Sequence, residues 1–339
     1  MKVIIDTDAV VDDCRAISLA VQAPEAEVLA ITTVTGCIHV DKAVANVSRT
    51  LRANGNQAQI PIYKGASETL IVGEFLPNDE TTFFGHDGIG DKPHVFPPSL
   101  ESDKDNYVKG VPAALALTQL VRKFPGEITI IALGPLTNLA LAIKLDPDFK
   151  KNVKKIVAMG GNVYGIGNID PDQTGEYNFA SDPESAHIVL HDMACPVTVV
   201  PWECFYFESI KGSHDVDFHA HLNVGTPLSD YFAALTSLGR EMLGQMKRQY
   251  AFCDEIAVAS ALYPDKIITE AKNLRGIVEL HGRHTRGQIA VDWYSNLWSE
   301  VPGEAVDSRH IGKNRYIQFV MKYNTTELVK IFEEMVRKE

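Results

Sequence analysis

The sequence has few cysteines, no long apolar run and no surplus of positive charge. Its five cysteines are odd in number and form no CxxC pair, which argues against a disulfide framework or a structural zinc site. No stretch approaches roughly 18 uncharged apolar residues, and no basic and apolar leader precedes the first predicted strand, so we expect neither membrane insertion nor export. A formal net charge of −12 opposes contact with phosphate backbones, so nucleic acid is not an expected partner. We therefore predict reduced thiols and a cytoplasmic location.

Short runs rich in Val and Ile alternate with amphipathic stretches over the first 205 residues. With 339 residues and 45% hydrophobic content, the chain can fill a large core. Apolar runs between helices are typical of parallel strands that are buried on both faces. We therefore predict an α/β fold with an open, mostly parallel (Rossmann-like) sheet flanked by helices. The predicted strands cover residues 2–6, 28–34, 128–133, 155–160 and 197–201, and the predicted helices cover 11–23, 41–54, 112–124, 136–145 and 182–191, the last capped by Ser181.

The pattern changes after about residue 205. Longer helices are predicted there, followed by a β-hairpin over residues 276–293 that turns near residues 284–287. One more strand, 315–323, and a closing helix, 325–338, complete the chain. Because no repeat, low-complexity tract or convincing linker interrupts the sequence, we predict a single domain over residues 1–339.

Four aspartates cluster where the first predicted strand ends. Side-chain alternation in the strand places Asp6 and Asp8 on the same side. Asp12 and Asp13 fall in the first turn of the next helix, where the helix dipole favours acids. The carboxyl ends of parallel strands are also where open α/β sheets bind ligands. Because packing these carboxylates together without a cation costs heavily in repulsion and desolvation, we predict a divalent metal site, with calcium and magnesium both open.

The same segment admits a second interpretation. Residues 6–10, Asp-Thr-Asp-Ala-Val, follow an apolar strand and fit the DxDx(T/V) nucleophile motif of haloacid-dehalogenase-type phosphatases. That interpretation predicts magnesium-dependent release of phosphate from a monoester. It lacks an obvious downstream lysine and acidic motif.

Over nearly the whole chain, the order of motifs resembles the inosine-uridine nucleoside hydrolase family. A single one of these motifs would be weak, but six in the same order favour the hydrolase over the phosphatase. In order, they are DTDxxxDD at residues 6–13, Gly134-Pro135-Leu136-Thr137-Asn138, Met159-Gly160-Gly161, Gly167-Asn168, the run EYNFASDPE at residues 176–184, and Asp254 near the head of a late apolar helix.

The resemblance implies the metal and its ligands. It selects calcium, held by Asp8, Asp13, Asp254 and the backbone carbonyl of Leu133, and shared with the ribose 2′- and 3′-hydroxyls. It also makes Asp8 the general base that takes a proton from the attacking water. The expected reaction is hydrolysis of the N-glycosidic bond of a ribonucleoside to ribose and free base, through an oxocarbenium-like sugar.

The family also implies which residues contact the ribose. These are Asp12, Asn168, Glu176 and Asn178. Two of them have a structural alternative, since Asn168 could simply hold a turn and Glu176 could be an exposed loop acid.

The chain departs from the family pattern where the leaving base is expected. Cys253 stands where members commonly have His or Trp, so we hypothesise that its thiol contacts or protonates the base. The alternative is a small buried space-filler. Cys204 and His86 are further candidates for this acid. Nearer the metal, Ala9-Val10 replaces a usual Pro-Gly and Cys37 replaces a usual Asn.

Aromatic residues are candidates for the walls of a base pocket. Phe84 stands where pyrimidine-acting members have His, so stacking could replace proton donation there. It lies in residues 75–107, a segment too long for an ordinary connection, which predicts a functional loop over the site. Trp202, Tyr250 and Phe252 are the other candidates.

The expected partner is therefore a small ribonucleoside, and the expected assembly is a homodimer or homotetramer. A phosphatase and a nucleoside- or sugar-binding protein without catalysis remain the alternatives. Sequence alone does not fix the preferred base.

Overall fold

Nine described strands form one sheet at the centre of the protein. The computed structural model describes residues 1–55, 60–71, 83–169, 172–212, 216–294 and 316–337. The strands are β1 (Lys2–Thr7), β2 (Glu27–Thr33), β3 (Ile62–Lys64), β4 (Ile128–Ala132), β5 (Lys155–Met159), β6 (Val197–Val200), β7 (Ile268–Val278), β8 (Ile289–Asp292) and β9 (Ile317–Tyr323). Their order in the sheet is β3-β2-β1-β4-β5-β6-β9-β7-β8, with parallel pairing from β3 to β9 and antiparallel pairing of β9 with β7 and of β7 with β8.

Helices cover the sheet. Every predicted strand and helix before residue 205 is confirmed, and no end differs by more than one residue from the prediction. None of the described helices combines the length and apolar composition of a membrane span. The helices are α1 (Val11–Gln22), α2 (Val40–Ala53), α3 (Ala113–Lys123), α4 (Thr137–Leu145), α5 (Phe149–Asn152), α6 (Tyr177–Ser181), α7 (Pro183–Asp192), α8 (Glu203–Glu208), α9 (Pro227–Leu235), α10 (Ser237–Gln245), α11 (Asp254–Leu262), α12 (Pro264–Ile267) and α13 (Thr325–Val336).

The sheet separates two hydrophobic cores. In β1, Val3 and Ile5 point into one core while Ile4 points into the other, as the two-residue period of a strand requires. The first core also contains the apolar faces of α1, α2, α11 and α13, and the second contains those of α3, α4 and α7. Because both faces are covered, the strands read as continuous apolar runs, which explains why they were predictable.

The chain reverses its direction of travel across the sheet between β1 and β4. From β1 the chain moves outward through β2 and β3, then returns to add β4, β5 and β6 on the other side. A crevice opens beyond the carboxyl ends of the strands at such a reversal, and ligands of open α/β sheets bind there. Asp8 lies just past the end of β1, and Leu133 lies just past the end of β4. The fold thus brings two distant motifs to one crevice.

One predicted helix cap is wrong. Ser181 is the last residue of α6, and the side chain of Asp182 caps α7 by accepting a hydrogen bond from the backbone N–H of Ser185 at 3.1 Å. Pro183 occupies the first turn of α7 and disfavours helical backbone in the residue before it. Asp182 is therefore held outside the helix, where a cap belongs.

The longer helices expected after residue 205 are instead short. α9 and α10 have nine residues each and meet at Thr236. The Thr236 hydroxyl donates to the carbonyl of Phe232 at 2.8 Å, a back-bond of the kind that bends helices. The predicted hairpin is confirmed as β7 and β8, with Val278 opposite Ile289, and the closing strand and helix are confirmed as β9 and α13 over their described residues.

Residues 83–107 belong to the predicted loop, and residues 75–82 lie outside the described part of the chain. A buried arginine on α2 anchors this loop. Arg49 donates from Nε to the carbonyl of Pro97 and from Nη2 to those of Lys92 and Val95, at 2.7 to 2.9 Å. Three backbone carbonyls are thereby fixed to the helix, and Phe84 comes from the anchored loop.

Candidate active site

A cavity of about 460 Å³ lies at the carboxyl ends of β1, β4 and β5. Its lining falls into two chemical groups. One is acidic, and the other is aromatic and comes from the loop that begins at residue 83, from α6 and from the segment that leads into and includes α8. The acidic group is Asp8, Asp12, Asp13, Glu176 and Asp254, and the aromatic group is Phe83, Phe84, Tyr177, Trp202, Phe205 and Tyr206.

The turn after β1 aims Asp8 and Asp13 at the cavity. The Thr7 hydroxyl donates to Oδ1 of Asp13, and the backbone N–H of Val10 donates to Oδ2 at 3.1 Å. Ala9 takes the left-handed φ of +55° that this tight turn needs, so the departure from the family's Pro-Gly is accommodated. The turn is thus built around the carboxylate of Asp13.

The loop that follows β2 also approaches the side chain of Asp8. The N–H of Cys37 donates to Oδ2 of Asp8 at 2.7 Å. A Cβ atom on Gly36 would lie 2.6 Å from the Cβ of Asp8, so only glycine permits this approach. A backbone donor from the loop after β2 therefore holds the carboxylate of Asp8.

Asp254 is the third carboxylate of the cluster. It is the first residue of α11, is 3% exposed, and accepts no hydrogen bond from any described residue. Burial, followed by the negative charges of Asp13 and Asp12, raises its pKa well above the usual range. Burial likewise raises the pKa of Asp8 and of Asp13. A buried carboxylate without a donor is costly unless a cation or a proton balances it, so the acidic part of the cavity suits a metal ion. Among the described residues, the ligand atoms that lie within 4.8 Å of one another belong to Asp12, Cys253 and Asp254.

The carbonyl of Leu133 lies at the same place. It accepts a hydrogen bond from Nδ2 of Asn178 at 2.8 Å, and Asn178 also reaches the carbonyl of Met159 at 3.3 Å. A carbonyl oxygen has two lone pairs, so this bond leaves Leu133 able to bind a second group. The structure therefore brings all four predicted metal-binding residues to one cavity.

Glu176 is buried, so the alternative of an exposed loop acid is wrong. It is 1% exposed and caps α6, accepting from the N–H groups of Asn178, Phe179 and Gly161 at 2.9, 3.2 and 2.6 Å. Burial raises its pKa to about 7 against the effect of these three bonds. A buried acid that lines the cavity is thus held rigidly by backbone donors.

Asn168 both holds a turn and lines the cavity. Its Oδ1 accepts from the N–H of Tyr177 at 2.7 Å, and its own N–H donates to the carbonyl of Gly175 at 3.4 Å. The structural interpretation is therefore confirmed, and its contact with ribose stays a prediction.

Asp12 and Asp6 differ in where they point. Asp12 lines the cavity, and its Oδ1 is buried without a partner among the described residues. Burial and the nearby Glu255 raise its pKa to about 7. Asp6 does not line the cavity, because Thr32 and Asn138 hold its Oδ1 within the sheet. Three of the four aspartates therefore line the cavity, and Asp6 lies within the sheet.

The thiol of Cys253 shares the acidic part of the cavity. Its sulfur and one oxygen each of Asp12 and Asp254 lie within 4.8 Å of one another. Cys253 is 5% exposed, and burial raises its pKa well above the usual range. The thiol therefore carries its proton at neutral pH.

Comparison with known proteins agrees with this geometry. The family model described as inosine-uridine preferring nucleoside hydrolase matches residues 3–330. The chain belongs to this family. The match removes the support for a phosphatase of the haloacid-dehalogenase type.

Individual relatives carry nucleosidase names. Uridine nucleosidase 1 of Arabidopsis thaliana is 41% identical over 199 residues, which cover 59% of this chain and 55% of that protein. The non-specific ribonucleoside hydrolase RihC of Escherichia coli O9:H4 is 31% identical over 303 residues, 86% of this chain and 88% of that protein. A solved inosine-guanosine nucleoside hydrolase superposes with a TM-score of 0.81 at 29% identity, over 100% of this chain and 99% of that one.

Two of the four aromatic residues proposed for the base pocket of this nucleoside hydrolase lie outside the cavity. Tyr250 is buried beside Phe83, with ring centroids 6.0 Å apart, and Phe252 packs in the core against Phe332 at 5.0 Å. Neither lines the cavity, because both lie on the core side of the segment before α11. Of the aromatic candidates, Phe84 and Trp202 do line it.

The other two candidates for the acid that protonates the base also lie outside the cavity. The Sγ of Cys204 donates to the carbonyl of Val320 on β9 at 3.3 Å, inside the core. His86 is exposed and does not line the cavity. Cys253 is therefore the candidate acid that the structure retains.

Sequence reasoning missed several cavity residues, among them Tyr206 and Arg248. Both lie in short helical or loop segments after residue 205, where no periodic pattern singles them out. A lone arginine six residues before the start of α11 cannot be placed without the fold. The family motifs carried no signal for either residue.

Proposed function

We propose that this chain hydrolyses the N-glycosidic bond of ribonucleosides to ribose and free base, in a calcium-dependent reaction. The observation that carries the proposal is the buried cluster of Asp8, Asp13 and Asp254 in a cavity whose remaining lining is largely aromatic. Carboxylates suit a cation with sugar hydroxyls, and aromatic rings suit a nucleobase. Family membership over residues 3–330 supports the same reaction.

The donor set fits calcium. Asp8, Asp13, Asp254 and the carbonyl of Leu133 would hold the ion, and all four offer oxygen, which hard cations prefer. When bound, calcium would supply positive charge that acidifies a nearby water and binds the ribose hydroxyls.

Asp8 is the proposed general base. Its Oδ2 is fixed by Cys37, so the carboxylate needs little reorganisation to accept a proton from the attacking water. The water oxygen bonds to C1′ of the ribose as the bond from C1′ to the base nitrogen breaks. The electron pair of that bond leaves with the base, which takes its proton from the thiol of Cys253.

The remaining acidic and amide groups of the cavity would contact the ribose. Asp12, Asn168, Glu176 and Asn178 would accept from or donate to the ribose hydroxyls, and nearby carboxylates stabilise the positive charge that develops on the sugar ring. Asn178 is the best placed of these, because its Nδ2 is already fixed on Leu133 and its Oδ1 accepts no bond from a described residue. Phe84 would pack against the base.

The proposal is tested with a panel of inosine, adenosine, guanosine, uridine and cytidine in phosphate-free buffer. Ribose is measured as reducing sugar, with and without a calcium chelator. We expect ribose from at least one nucleoside, loss of activity with chelator, and recovery with added calcium. Release of phosphate from a monoester in the presence of magnesium tests the phosphatase alternative. Direct binding of each nucleoside, without release of ribose, tests the alternative of a binding protein without turnover.

We further propose a cytoplasmic homodimer or homotetramer. Light scattering coupled to size-exclusion chromatography measures the assembly, and a mass of one subunit would contradict it.

A further inference from the structure

Arg15 of α1 and Glu255 of α11 form a buried ion pair. Nη1 of Arg15 lies 3.0 Å from Oε1 of Glu255, and the two side chains are 2% and 0% exposed. Neither residue lines the cavity. Arg15 nevertheless closely follows Asp12 and Asp13 in the sequence, and Glu255 directly follows Asp254. The pair therefore joins the beginnings of the two helices that carry these carboxylates.

Aromatic rings fix the guanidinium group of Arg15. Its carbon atom lies 5.6 Å from the ring centroid of Tyr250, 5.2 Å from that of Phe252 and 5.6 Å from that of Phe332. Its Nη2 lies 3.4 Å from Nε2 of His221. A guanidinium is weakly hydrated and stacks well on such rings. Because Tyr250 and Phe252 lie just before α11, Arg15 is also packed against the segment that leads into that helix.

Glu255 fixes the backbone around Asp254. Its Oε2 accepts a hydrogen bond from the backbone N–H of Cys253 at 2.7 Å. The carboxylate of Asp254 itself accepts no hydrogen bond from any described residue. The backbone on either side therefore orients Asp254, and the ion pair ties that backbone to α1.

Arg15 lies on the face of α1 that carries Asp12. The two residues are three positions apart, a spacing that places their side chains on one side of the helix. The carboxylate of Asp13 has its own donors in the hydroxyl of Thr7 and the N–H of Val10. Loss of the ion pair would therefore free Asp254 to move relative to Asp13 without breaking the bonds of Asp13.

Stability alone does not account for this ion pair. Both charges must be taken out of water, and apolar residues of similar volume often give equal or greater stability in place of a buried pair. The rings around Arg15 already belong to an apolar core. A role in the geometry of the site predicts that an apolar replacement leaves the fold stable but the site misplaced.

We propose that Arg15 and Glu255 are positioning residues that hold Asp254 in place relative to Asp13, and that their ion pair sets the affinity of the cavity for calcium. The inference rests on the proposed calcium-dependent function, because that function assigns Asp13 and Asp254 to one ion. Neither Arg15 nor Glu255 touches the ion or the ribonucleoside. Loss of residues that orient metal ligands commonly weakens metal binding about 10- to 100-fold.

The test removes both charges at once, in the double variant Arg15→Met/Glu255→Met. We expect this variant to melt at or above the wild-type temperature in chelator, because it contains no unpaired charge from the broken pair. Calorimetry should show that it binds calcium at least about tenfold more weakly than wild type. Arg122→Met, which breaks an ion pair with Asp146 outside the cavity, is the control and should bind calcium like wild type. Wild-type calcium affinity in the double variant would overturn the proposal.

A conservative variant decides the question if the double variant does not fold. Arg15→Lys keeps the charge but not the planar fork of the guanidinium. We expect it to bind calcium more weakly than wild type, by a smaller factor than the double variant. A folded Arg15→Lys protein with wild-type calcium affinity would count against the positioning role.

Amide hydrogen exchange in chelator separates this inference from the proposed function. Mass spectrometry of peptides that cover residues 250–255 reports on the N–H of Cys253. We expect it to exchange at least about tenfold faster in the double variant, the effect of losing a hydrogen bond to a charged acceptor, while peptides from β4 stay unchanged. Equal exchange in both proteins contradicts the positioning role even if ribonucleosides are hydrolysed. Absence of ribose release from wild type contradicts the proposed function and leaves the exchange comparison valid.

Discussion

The backbone N–H of Cys37 lies 2.7 Å from Oδ2 of Asp8 and donates a hydrogen bond to it, across 29 residues of sequence. This contact joins the loop after β2 to the turn after β1, and it exists only because Gly36 lacks a Cβ atom. The proposed base is therefore positioned by a neighbouring strand as well as by its own.

The first prediction concerns that approach. Gly36→Ala should displace the Asp8 carboxylate and lower kcat/KM for every nucleoside by about 100-fold, because small misplacements of a reacting group have effects of that order. Gly244→Ala, where an added Cβ meets nothing within 4 Å, is the matched control. Steady-state kinetics on both variants, with melting temperatures to check the fold, measure the effect. Wild-type kinetics in Gly36→Ala would show that the position of Asp8 does not matter.

The second prediction concerns the metal. Asp254→Asn should raise the melting temperature of the chelated protein, because it removes one of several buried carboxylates that repel each other. It should also abolish the stabilisation by calcium, which for a site at 100 times its Kd is about 2.7 kcal/mol. Differential scanning fluorimetry across a calcium series tests both effects. Asp105→Asn, an exposed acid, should behave like wild type, whereas a full calcium response in Asp254→Asn would remove Asp254 from the ligand set.

The third prediction concerns Cys253. Cys253→Ala should lower kcat by at least about tenfold with little change in KM, because a proton donor to the leaving base acts in the transition state. Cys253→Ser keeps a donor and should lie between this variant and wild type. Cys204→Ala removes a thiol that faces β9 and should leave turnover unaltered. Unaltered turnover in a folded Cys253→Ala protein would reduce the residue to a space-filler.

The fourth prediction concerns pH and a buried histidine that does not line the cavity. His221 is fully buried, and burial together with the charge of Arg15 lowers its pKa well below the usual 6.5. As the pH falls through 6.5, the unfolded chain takes up a proton that the folded chain refuses, so folding stability falls. The contribution approaches about 1.4 kcal/mol per pH unit for this one group.

His221→Phe should remove this slope, since the ring already packs on Phe332 at 5.3 Å. Urea unfolding between pH 7 and pH 5 measures the free energy of unfolding of wild type and of the variant. The difference between the two values cancels the effect of the other titrating groups. His281→Ala, at an exposed position, is the control. Parallel stability profiles for wild type and His221→Phe would mean that His221 titrates normally.

Much of the fold was predictable because its signals are local. Runs such as Ile128–Ala132 are buried on both faces, and the intervening helices have clear apolar stripes. After residue 205 the helices are broken by back-bonds and turns, so periodicity over a long window was misleading there. Ser181 failed as a cap because the effect of Pro183 on its neighbour outweighed the side-chain preference.

The site was predictable where a motif fixed a backbone turn, and not where tertiary contacts decide. Asp8, Asp13 and Asp254 line the cavity as the family pattern implied. Asp6 does not line the cavity. Alternation along β1 predicts the side of the sheet on which its side chain lies, but it cannot show that Asn138, 132 residues away, donates a hydrogen bond to its carboxylate. Arg248 depends on a left-handed residue and a bridge to Ile210, which leave no trace in the sequence.

The most direct measurement is ribose release from inosine and uridine by wild type and Asp8→Asn, in phosphate-free buffer with calcium present. We expect wild type to release ribose and free base in equal amounts, and Asp8→Asn to be slower by at least about 100-fold, the contribution of a positioned general base. Isothermal calorimetry of calcium on both proteins shows whether the loss also includes the metal. No ribose from any nucleoside with wild type, or undiminished release with Asp8→Asn, would contradict the account.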